Sequence, residues 1–198
     1  MRKGERTRQE IIRRAAPVFN QKGYDGAALS DLMGATGLEK GGIYRHFPSK
    51  EALAAEAFDY AWAQAFRARV HDLDATANSV DRLKQMVANF VERRGAIPGG
   101  CPLLNTAVDT DDGNTVLRER ARKAFDRWRN YVADVVEEGI KARQIDQQAD
   151  ARKVATLLIS SLEGAIMLAR LTRTDEPLRV VREHFDAYLD DALRAKPR

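Results

Sequence analysis

Residues 28–47 constrain the fold of this chain more than any other stretch. Apolar side chains recur at helical spacing in 29–33 and again at Ile43 and Phe47, so two short helices that each bury one face are predicted. Gly37 lies between them, where a tight turn needs a backbone conformation that glycine adopts readily. The spacing predicts a helix-turn-helix.

The second helix of this motif has an unusual start. Gly41 and Gly42 each cost about 1 kcal/mol relative to alanine in a helix, so helix propensity does not explain them. They leave a nearly bare surface beside Lys40, Tyr44 and Arg45. Such a surface suits close approach of the backbone to a phosphate-lined groove, which indicates a DNA-reading helix.

The motif resembles the N-terminal DNA-binding domain of the TetR family of one-component transcriptional regulators. The resemblance continues through Gly23-Tyr24-Asp25 and through residues 47–53, and it covers about the first quarter of the chain. The remainder is similar to the family in length and helical layout. The resemblance implies a DNA-binding domain over residues 1–50 and an effector-binding and dimerisation domain over residues 51–198.

The function implied by the resemblance is transcriptional regulation. We expect a cytoplasmic homodimer that represses transcription by binding a palindromic operator in double-stranded DNA. A small-molecule effector of unknown identity is expected to relieve that binding. A transcriptional activator, or an architectural DNA-binding protein without an effector, are the alternatives.

Candidate DNA contacts follow from donor chemistry and from the resemblance. Ammonium, phenol and imidazole groups can all donate to phosphate oxygens, and Lys50 follows a capping Ser49 at a helix N-terminus that itself favours phosphate. The resemblance places Gly42 and Arg45 where family members differ and read bases. Arg45 could pair with a guanine edge, but a phosphate contact or a free surface position is an equal alternative. The candidate residues are Ser30, Glu39, Lys40, Gly41, Gly42, Tyr44, Arg45, His46 and Lys50.

Three positions depart from the family pattern. Ala28 stands where the family usually has a Ser or Thr helix cap, so the cap is lost or shifted to Ser30. Glu39 replaces a small hydroxyl residue and would either repel phosphate or accept from a cytosine amino group. Gly42 lacks the methyl of the threonine often found there. The motif therefore does not predict the operator sequence.

The distribution of charge agrees with a DNA-binding N-terminus. The chain carries a net charge of +4, and residues 1–50 hold ten lysines and arginines against five acidic side chains. The rest of the chain is nearly balanced. The basic surplus thus coincides with the motif, as phosphate binding requires.

The remaining sequence reads as helices, and no β pattern competes, so the predicted fold class is all-α. Thr7 and Glu10 have the spacing of a capping box that opens the first helix, Pro17 predicts a kink, and Gly23 a stop. Asp150 and Pro177 are expected to begin the last two helices. The predicted helices cover 7–22, 28–36, 40–47, 49–70, 83–91, 102–108, 116–140, 150–171 and 177–194.

Residues 154–171 are apolar around most of the helix, with small residues that permit close helix packing. We expect dimerisation through 151–171 and 177–194, and a charge at Leu162 or Ile166 is expected to split the dimer or unfold it. Packing inside a monomer is the alternative.

Aromatic side chains after residue 51 suggest an effector pocket. A carboxylate in the middle of the most apolar helix, Glu163, needs a partner if it is buried, for example Arg129 or a cationic effector; exposure is the alternative. Cys101 is either a thiol sensor or, more simply, a small buried residue. The pocket candidates are Phe58, Trp62, Phe66, Phe90, Cys101, Leu104, Trp128, Tyr131 and Glu163.

The residue inventory argues against an enzyme. His46, His71 and His184 are scattered, and there is no phosphate-cradling glycine loop. Residues 109–113 resemble a calcium loop, but the glycine comes one position early and Arg120 stands where a glutamate is needed. We expect no catalytic residue, no cofactor, no metal site and no membrane partner. A single cysteine excludes an intrachain disulfide framework.

Overall fold

The structure, a computed structural model, describes residues 3–93 and 97–196. Among these residues the helices are joined by turns and loops, and β-pairing is limited to an isolated bridge between Ile145 and Arg194, so the all-α prediction is confirmed. A 3₁₀ turn covers Leu73–Ala75 and a π-helical turn covers Leu189–Leu193. The α-helices are α1 Lys3–Gly26, α2 Leu29–Thr36, α3 Lys40–Tyr44, α4 Lys50–Arg69, α5 Ser79–Glu92, α6 Pro102–Asp109, α7 Thr115–Lys141, α8 Ala151–Thr172 and α9 Glu176–Tyr188.

The described residues group into two compact units. The first comprises residues 3–65 and 97–124, and the second comprises residues 66–93 and 125–196. The unit boundaries fall inside α4 and α7. These units differ from the two predicted functional domains, 1–50 for DNA binding and 51–198 for effector binding and dimerisation, whose boundary stays a prediction.

The predicted capping box at the start of α1 is wrong. The helix is already formed at Lys3, so Thr7 lies in its interior, and the Thr7 hydroxyl donates to the carbonyl of Lys3 at 3.1 Å. Glu10 instead accepts from Arg13 at 2.7 Å and from Arg14 at 2.5 Å. These two guanidinium groups lower the pKa of Glu10 to about 2. Ion pairs at i,i+3 and i,i+4 have displaced the cap.

The non-helical residue of α1 is Gly23, whereas Pro17 lies inside the helix, where a kink stays a prediction. Pro17 keeps helical dihedral angles, since its ring fixes φ near the helical value. Gly23 has φ +73° and ψ 174°, and the helical assignment resumes to Gly26. The predicted helix stop at Gly23 is therefore confirmed, and a second short helical stretch follows it up to Gly26.

The first unit packs α1, α2, α3 and the start of α4 around one apolar cluster. Leu29, Met33 and Leu38 are partly buried against it, as the helical spacing of the motif predicts. The cluster consists of Ile11, Ile12, Ala15, Leu32, Ile43, Phe47 and Leu53.

In the second unit, α8 and α9 pack on each other, and α5 packs on α9. The Asp150 side chain caps α8 by accepting from the Lys153 amide at 3.0 Å, and Pro177 lies in the first turn of α9, both as predicted. Leu162 is fully buried within the subunit, so of the two expected outcomes a charge there should unfold the protein. The exposed side of α8 carries other residues, described below.

Candidate nucleic-acid interface

The turn between α2 and α3 has the geometry that the motif predicts. Gly37 adopts φ +69° and ψ 22°, and its N–H donates to the carbonyl of Met33 at 2.8 Å. The Thr36 hydroxyl donates to the carbonyl of Leu32 at 2.7 Å. This left-handed residue reverses the chain without a Cβ penalty, so α3 starts immediately after Glu39.

The five residues of α3 have one buried and one open side. Ile43, and Phe47 after it, are 1% exposed in the apolar cluster. Lys40 and Gly41 in α3, and Arg45 directly after it, are exposed. Gly42, Tyr44 and His46 are half-buried. The helix is thus held by its apolar side, and its cationic groups Lys40 and Arg45 are exposed to solvent.

The cations of α3 differ from those of α1. Arg8, Arg13 and Arg14 are held by carboxylates of Glu56 and Glu10 at 2.5–2.6 Å. Lys40 and Arg45 form no ion pair within 4.0 Å with any residue in the described ranges 3–93 and 97–196. Their charge is therefore available to an outside anion.

The two glycines of α3 differ in the space around the position of a Cβ atom. A Cβ at Gly41 would meet nothing within 4 Å, so its bareness is open to solvent. A Cβ at Gly42 would lie 3.3 Å from the Cβ of Leu38, a close contact inside the motif. A side chain at 42 would require Leu38 to shift by a few tenths of an ångström, whereas at 41 the fold leaves room for a side chain.

The side-chain cap at the start of α2 is lost, which is the first of the two expectations for Ala28. Ala28 remains the N-cap residue, and the Asp31 carboxylate accepts from its N–H at 3.0 Å. Lys22 donates to the same carboxylate at 2.6 Å. Lys22 first, and then the Ala28 N–H, lower the pKa of Asp31. Ser30 lies exposed in the first turn and is not the cap, so a shift of the cap to Ser30 is wrong.

The start of α4 lies beside the motif as predicted. The Ser49 hydroxyl accepts from the Ala52 amide at 3.0 Å, which confirms Ser49 as the cap. Lys50 is the first residue of α4, and its Nζ lies 4.6 Å from the centroid of the Tyr24 ring. An ammonium at a capped helix N-terminus can meet an anion together with free backbone amides.

The candidate effector residues divide between the two units. In the first unit Phe58, Trp62 and Cys101 are buried and Leu104 is half-buried. Phe58 lines a small cavity of about 30 Å³, which is room for about one water molecule and not for an effector. Cys101 is the residue before α6 and is 3% exposed, in line with its alternative as a small buried residue.

In the second unit Glu163 is buried, and the predicted partner is wrong. Its Oε1 accepts from Arg69 at 3.3 Å, whereas Arg129 donates to Asp126 at 2.8 Å. The Arg69 guanidinium carbon lies 4.1 Å from the Trp128 ring centroid and 5.0 Å from that of Phe90. Two further candidates, Phe66 and Tyr131, meet edge to face at 5.8 Å. Arg69 was missed because it lies 94 residues from Glu163 along the chain.

Comparison with known proteins defines the class. The family model described as bacterial regulatory proteins, tetR family, matches residues 11–57, and the model described as tetracyclin repressor-like, C-terminal domain, matches residues 79–185. The chain belongs to the TetR family of helix-turn-helix transcriptional regulators. It is a DNA-binding regulator of transcription.

Individual relatives cover nearly the whole chain. The HTH-type transcriptional repressor DhaR of Mycobacterium sp. (strain GP1) is 30% identical over 86% of this chain and 86% of its own length. A crystal structure of a TetR transcriptional regulator from Chloroflexus aurantiacus is 43% identical, with a TM-score of 0.95 over 99% of this chain and 100% of that chain. A TetR-family regulator from Cytophaga hutchinsonii is 35% identical, with a TM-score of 0.92 over 100% and 99%.

Proposed function

We propose that the protein is a homodimeric repressor that binds a palindromic operator through α3 and is released by a small organic effector. The observation that carries this proposal is the open side of α3, where Lys40 and Arg45 are exposed cations without an ion pair in the described part of the chain. A repressor is favoured because the relative DhaR is named as one. The place of action is the cytoplasm, where the DNA of a bacterium lies.

The roles on α3 follow from where each donor lies. Lys40, Tyr44 and His46 border the exposed backbone of Gly41, and Lys50 begins the next helix. Such donors position a protein on the phosphates and carry no sequence information. Arg45 is the most suitable base-reading side chain, since its guanidinium matches the two acceptors of guanine. Ser30, Glu39 and Gly42 flank these groups and would modulate the choice of bases.

Dimerisation is supported by the exposed side of α8. Leu157, Leu168 and Leu171 are 56%, 44% and 77% exposed, and Ser161 and Gly164 lie between them with the 4-3-4-3 spacing of a helix–helix seam. Among the described residues, α8 is also the helix whose length and apolar composition would suffice to cross a membrane. A helix that packs in a core or on a partner has the same composition, and the small residues allow a second copy to approach closely.

The effector proposal rests on the surroundings of Glu163. A buried Arg69–Glu163 pair bordered by Trp128 and Phe90 offers one charged anchor and two aromatic faces. Ligand sites in proteins combine few polar groups with apolar walls in this way. A polar ligand group that replaces one member of the pair would bind to the other member, whose charge is already desolvated. We therefore propose an aromatic or apolar effector with one polar or ionised group.

Selection from a randomised duplex library tests the DNA-binding part of the proposal. We expect enrichment of one palindromic duplex, called the operator duplex below. Lys40→Ala should weaken its binding about ten-fold or more, because two lysines are lost per dimer. Lys141→Ala, which removes an exposed lysine at the end of α7, is the matched control and should bind as the wild type does. Absence of any enriched duplex would contradict the proposal.

A paired titration tests the effector part. Candidate compounds are first screened by tryptophan fluorescence, since Trp128 lies against Arg69. Each compound that binds is then added to the operator complex. A coupling of about 1–3 kcal/mol would lower operator affinity about 5- to 150-fold. Glu163→Gln should reduce both effects together. Compounds that bind at Trp128 and leave operator affinity unchanged would exclude release by an effector while sparing DNA binding.

A further inference from the structure

The break in α1 is built against the end of α6. The Tyr24 N–H donates to Asp109 Oδ2 at 2.7 Å, and Asp109 is the last residue of α6. A Cβ at Gly23 would lie 2.5 Å from Asp109 Oδ1. The carboxylate therefore occupies the space that a side chain at 23 would need, and it holds the one non-helical turn of α1.

A second set of bonds joins the same two helices one turn earlier. The Asn105 amide donates to the carbonyl of Asn20 at 2.9 Å and to that of Gly99 at 2.8 Å. The Asn20 amide donates to the carbonyl of Pro98 at 2.8 Å. Asn105 and Asp109 lie four residues apart, on one face of α6. Their partners Asn20 and Tyr24 are also four residues apart in α1, so the two sets of bonds join one face of α6 to one face of α1. The position of Tyr24 is thus fixed by its backbone.

The ring of Tyr24, whose backbone is fixed in this way, contacts the side chain of Lys50. The Lys50 ammonium lies 4.6 Å from the ring centroid, and Tyr24 is half-buried. Burial first, and then the charges of Glu51 and Asp25, raise the pKa of Tyr24, so its hydroxyl stays neutral. A neutral electron-rich ring face attracts an ammonium, and a flexible lysine that is already held loses less side-chain entropy when it binds.

We propose that Tyr24 is a positioning residue for DNA binding, which holds the Lys50 ammonium where it meets a phosphate, and that Asp109 fixes Tyr24 in this role. The inference rests on the proposed function, since it takes Lys50 as a phosphate contact. It adds a residue of α6, far along the chain from the motif, to the groups that set the affinity for DNA. An ammonium stacked on a ring by one side keeps N–H groups free for an anion.

A double-mutant cycle on the full-length protein tests the inference with the operator duplex as the probe. Tyr24→Leu removes the ring face and keeps apolar bulk, Tyr24→Phe keeps the ring, and Lys50→Ala removes the ammonium. We expect Tyr24→Leu to weaken binding about two- to five-fold per DNA-reading head, or about four- to twenty-five-fold for a dimer. Tyr24→Phe should bind within about two-fold of the wild type. In the Lys50→Ala background, Tyr24→Leu should cause no further loss.

The outcomes separate this inference from the proposed function. Equal losses from Tyr24→Leu with and without Lys50 would overturn it, and so would wild-type affinity of Tyr24→Leu or a Tyr24→Phe variant as weak as Tyr24→Leu. If Lys50→Ala itself binds as the wild type does, the Lys50 contact of the proposed function fails instead. Asp109→Ala repeats the cycle from the other end, should Tyr24→Leu melt below the assay temperature. Asp109→Ala should weaken DNA binding in the wild-type background and have no effect in the Lys50→Ala background. A loss of affinity that persists in the Lys50→Ala background would overturn the role of Asp109.

Discussion

Tyr44 and Arg45, at the end of α3, differ in exposure, and this difference favours different roles in DNA binding. Arg45 is exposed, whereas Tyr44 is half-buried beside the apolar cluster that holds Ile43. A long, exposed guanidinium can reach a base edge, while a phenol held close to the helix reaches only the backbone of the duplex. Phosphate contacts position a protein and base contacts specify the sequence.

The first prediction separates these two residues. Arg45→Ala should relax the preference at particular base pairs of the operator, at about 1–3 kcal/mol per position. Tyr44→Ala should weaken binding to every duplex alike. Competition binding over a randomised half-site library measures both, and thermal unfolding controls for loss of structure. A uniform loss for Arg45→Ala would mean that Arg45 is a phosphate clamp.

Between elements, the Arg69–Glu163 pair joins α4 to α8 within the second unit. Its side chains are 6% and 11% exposed, so both charges have lost most of their water. Loss of one partner leaves the other charge buried and uncompensated, which costs far more than the pair itself contributes.

The second prediction follows from that asymmetry. Glu163→Ala should lower the free energy of unfolding by about 3–5 kcal/mol, whereas the double variant Arg69→Leu, Glu163→Leu should lose much less. Urea unfolding at one fixed protein concentration measures both, since dimer stability depends on concentration. A double variant as unstable as Glu163→Ala would show that packing, rather than charge, sets the cost.

Local determinants explain which elements the sequence could predict. The turn at Gly37, the cap at Ser49 and the cap at Asp150 depend on residues within one helical turn, and all three are present. The helix-turn-helix core was predictable for the same reason, because apolar spacing is local.

Distant contacts explain what the sequence could not predict. Arg69 reaches Glu163 across 94 residues, and Asp109 reaches Tyr24 across 85. Leu162 shares its apolar character with Leu168, yet only packing decides that Leu162 is fully buried and Leu168 is 44% exposed. An almost wholly apolar helix gives no periodic pattern that would tell its two sides apart.

For the whole molecule, the proposed two-fold axis depends on the exposed side of α8. A charge placed there should be tolerated by the folded subunit and not by an interface of two such helices. A charge at the buried Leu162 should unfold the subunit instead.

The third prediction contrasts these positions. Leu168→Glu should give a folded monomer with weakened operator binding, because one head makes half of the contacts. Leu162→Glu should unfold. Arg152→Glu, at an exposed position in the first turn of α8, is the surface control and should remain a dimer. Sedimentation velocity together with thermal unfolding distinguishes the three. A folded Leu168→Glu dimer would place the interface elsewhere.

The salt dependence of operator binding tests the central claim, that α3 and the start of α4 bind DNA phosphates with cations that the fold leaves available. Lys40 and Lys50 from two subunits would make four phosphate contacts, which predicts a slope of log K against log salt of about −4. Lys40→Ala should reduce the magnitude of that slope by about 2, since each phosphate contact contributes about 0.9. Fluorescence anisotropy between about 50 and 200 mM salt, the range over which phosphate contacts weaken steeply, gives both values. A slope near zero, or one that Lys40→Ala leaves unchanged, would contradict the account.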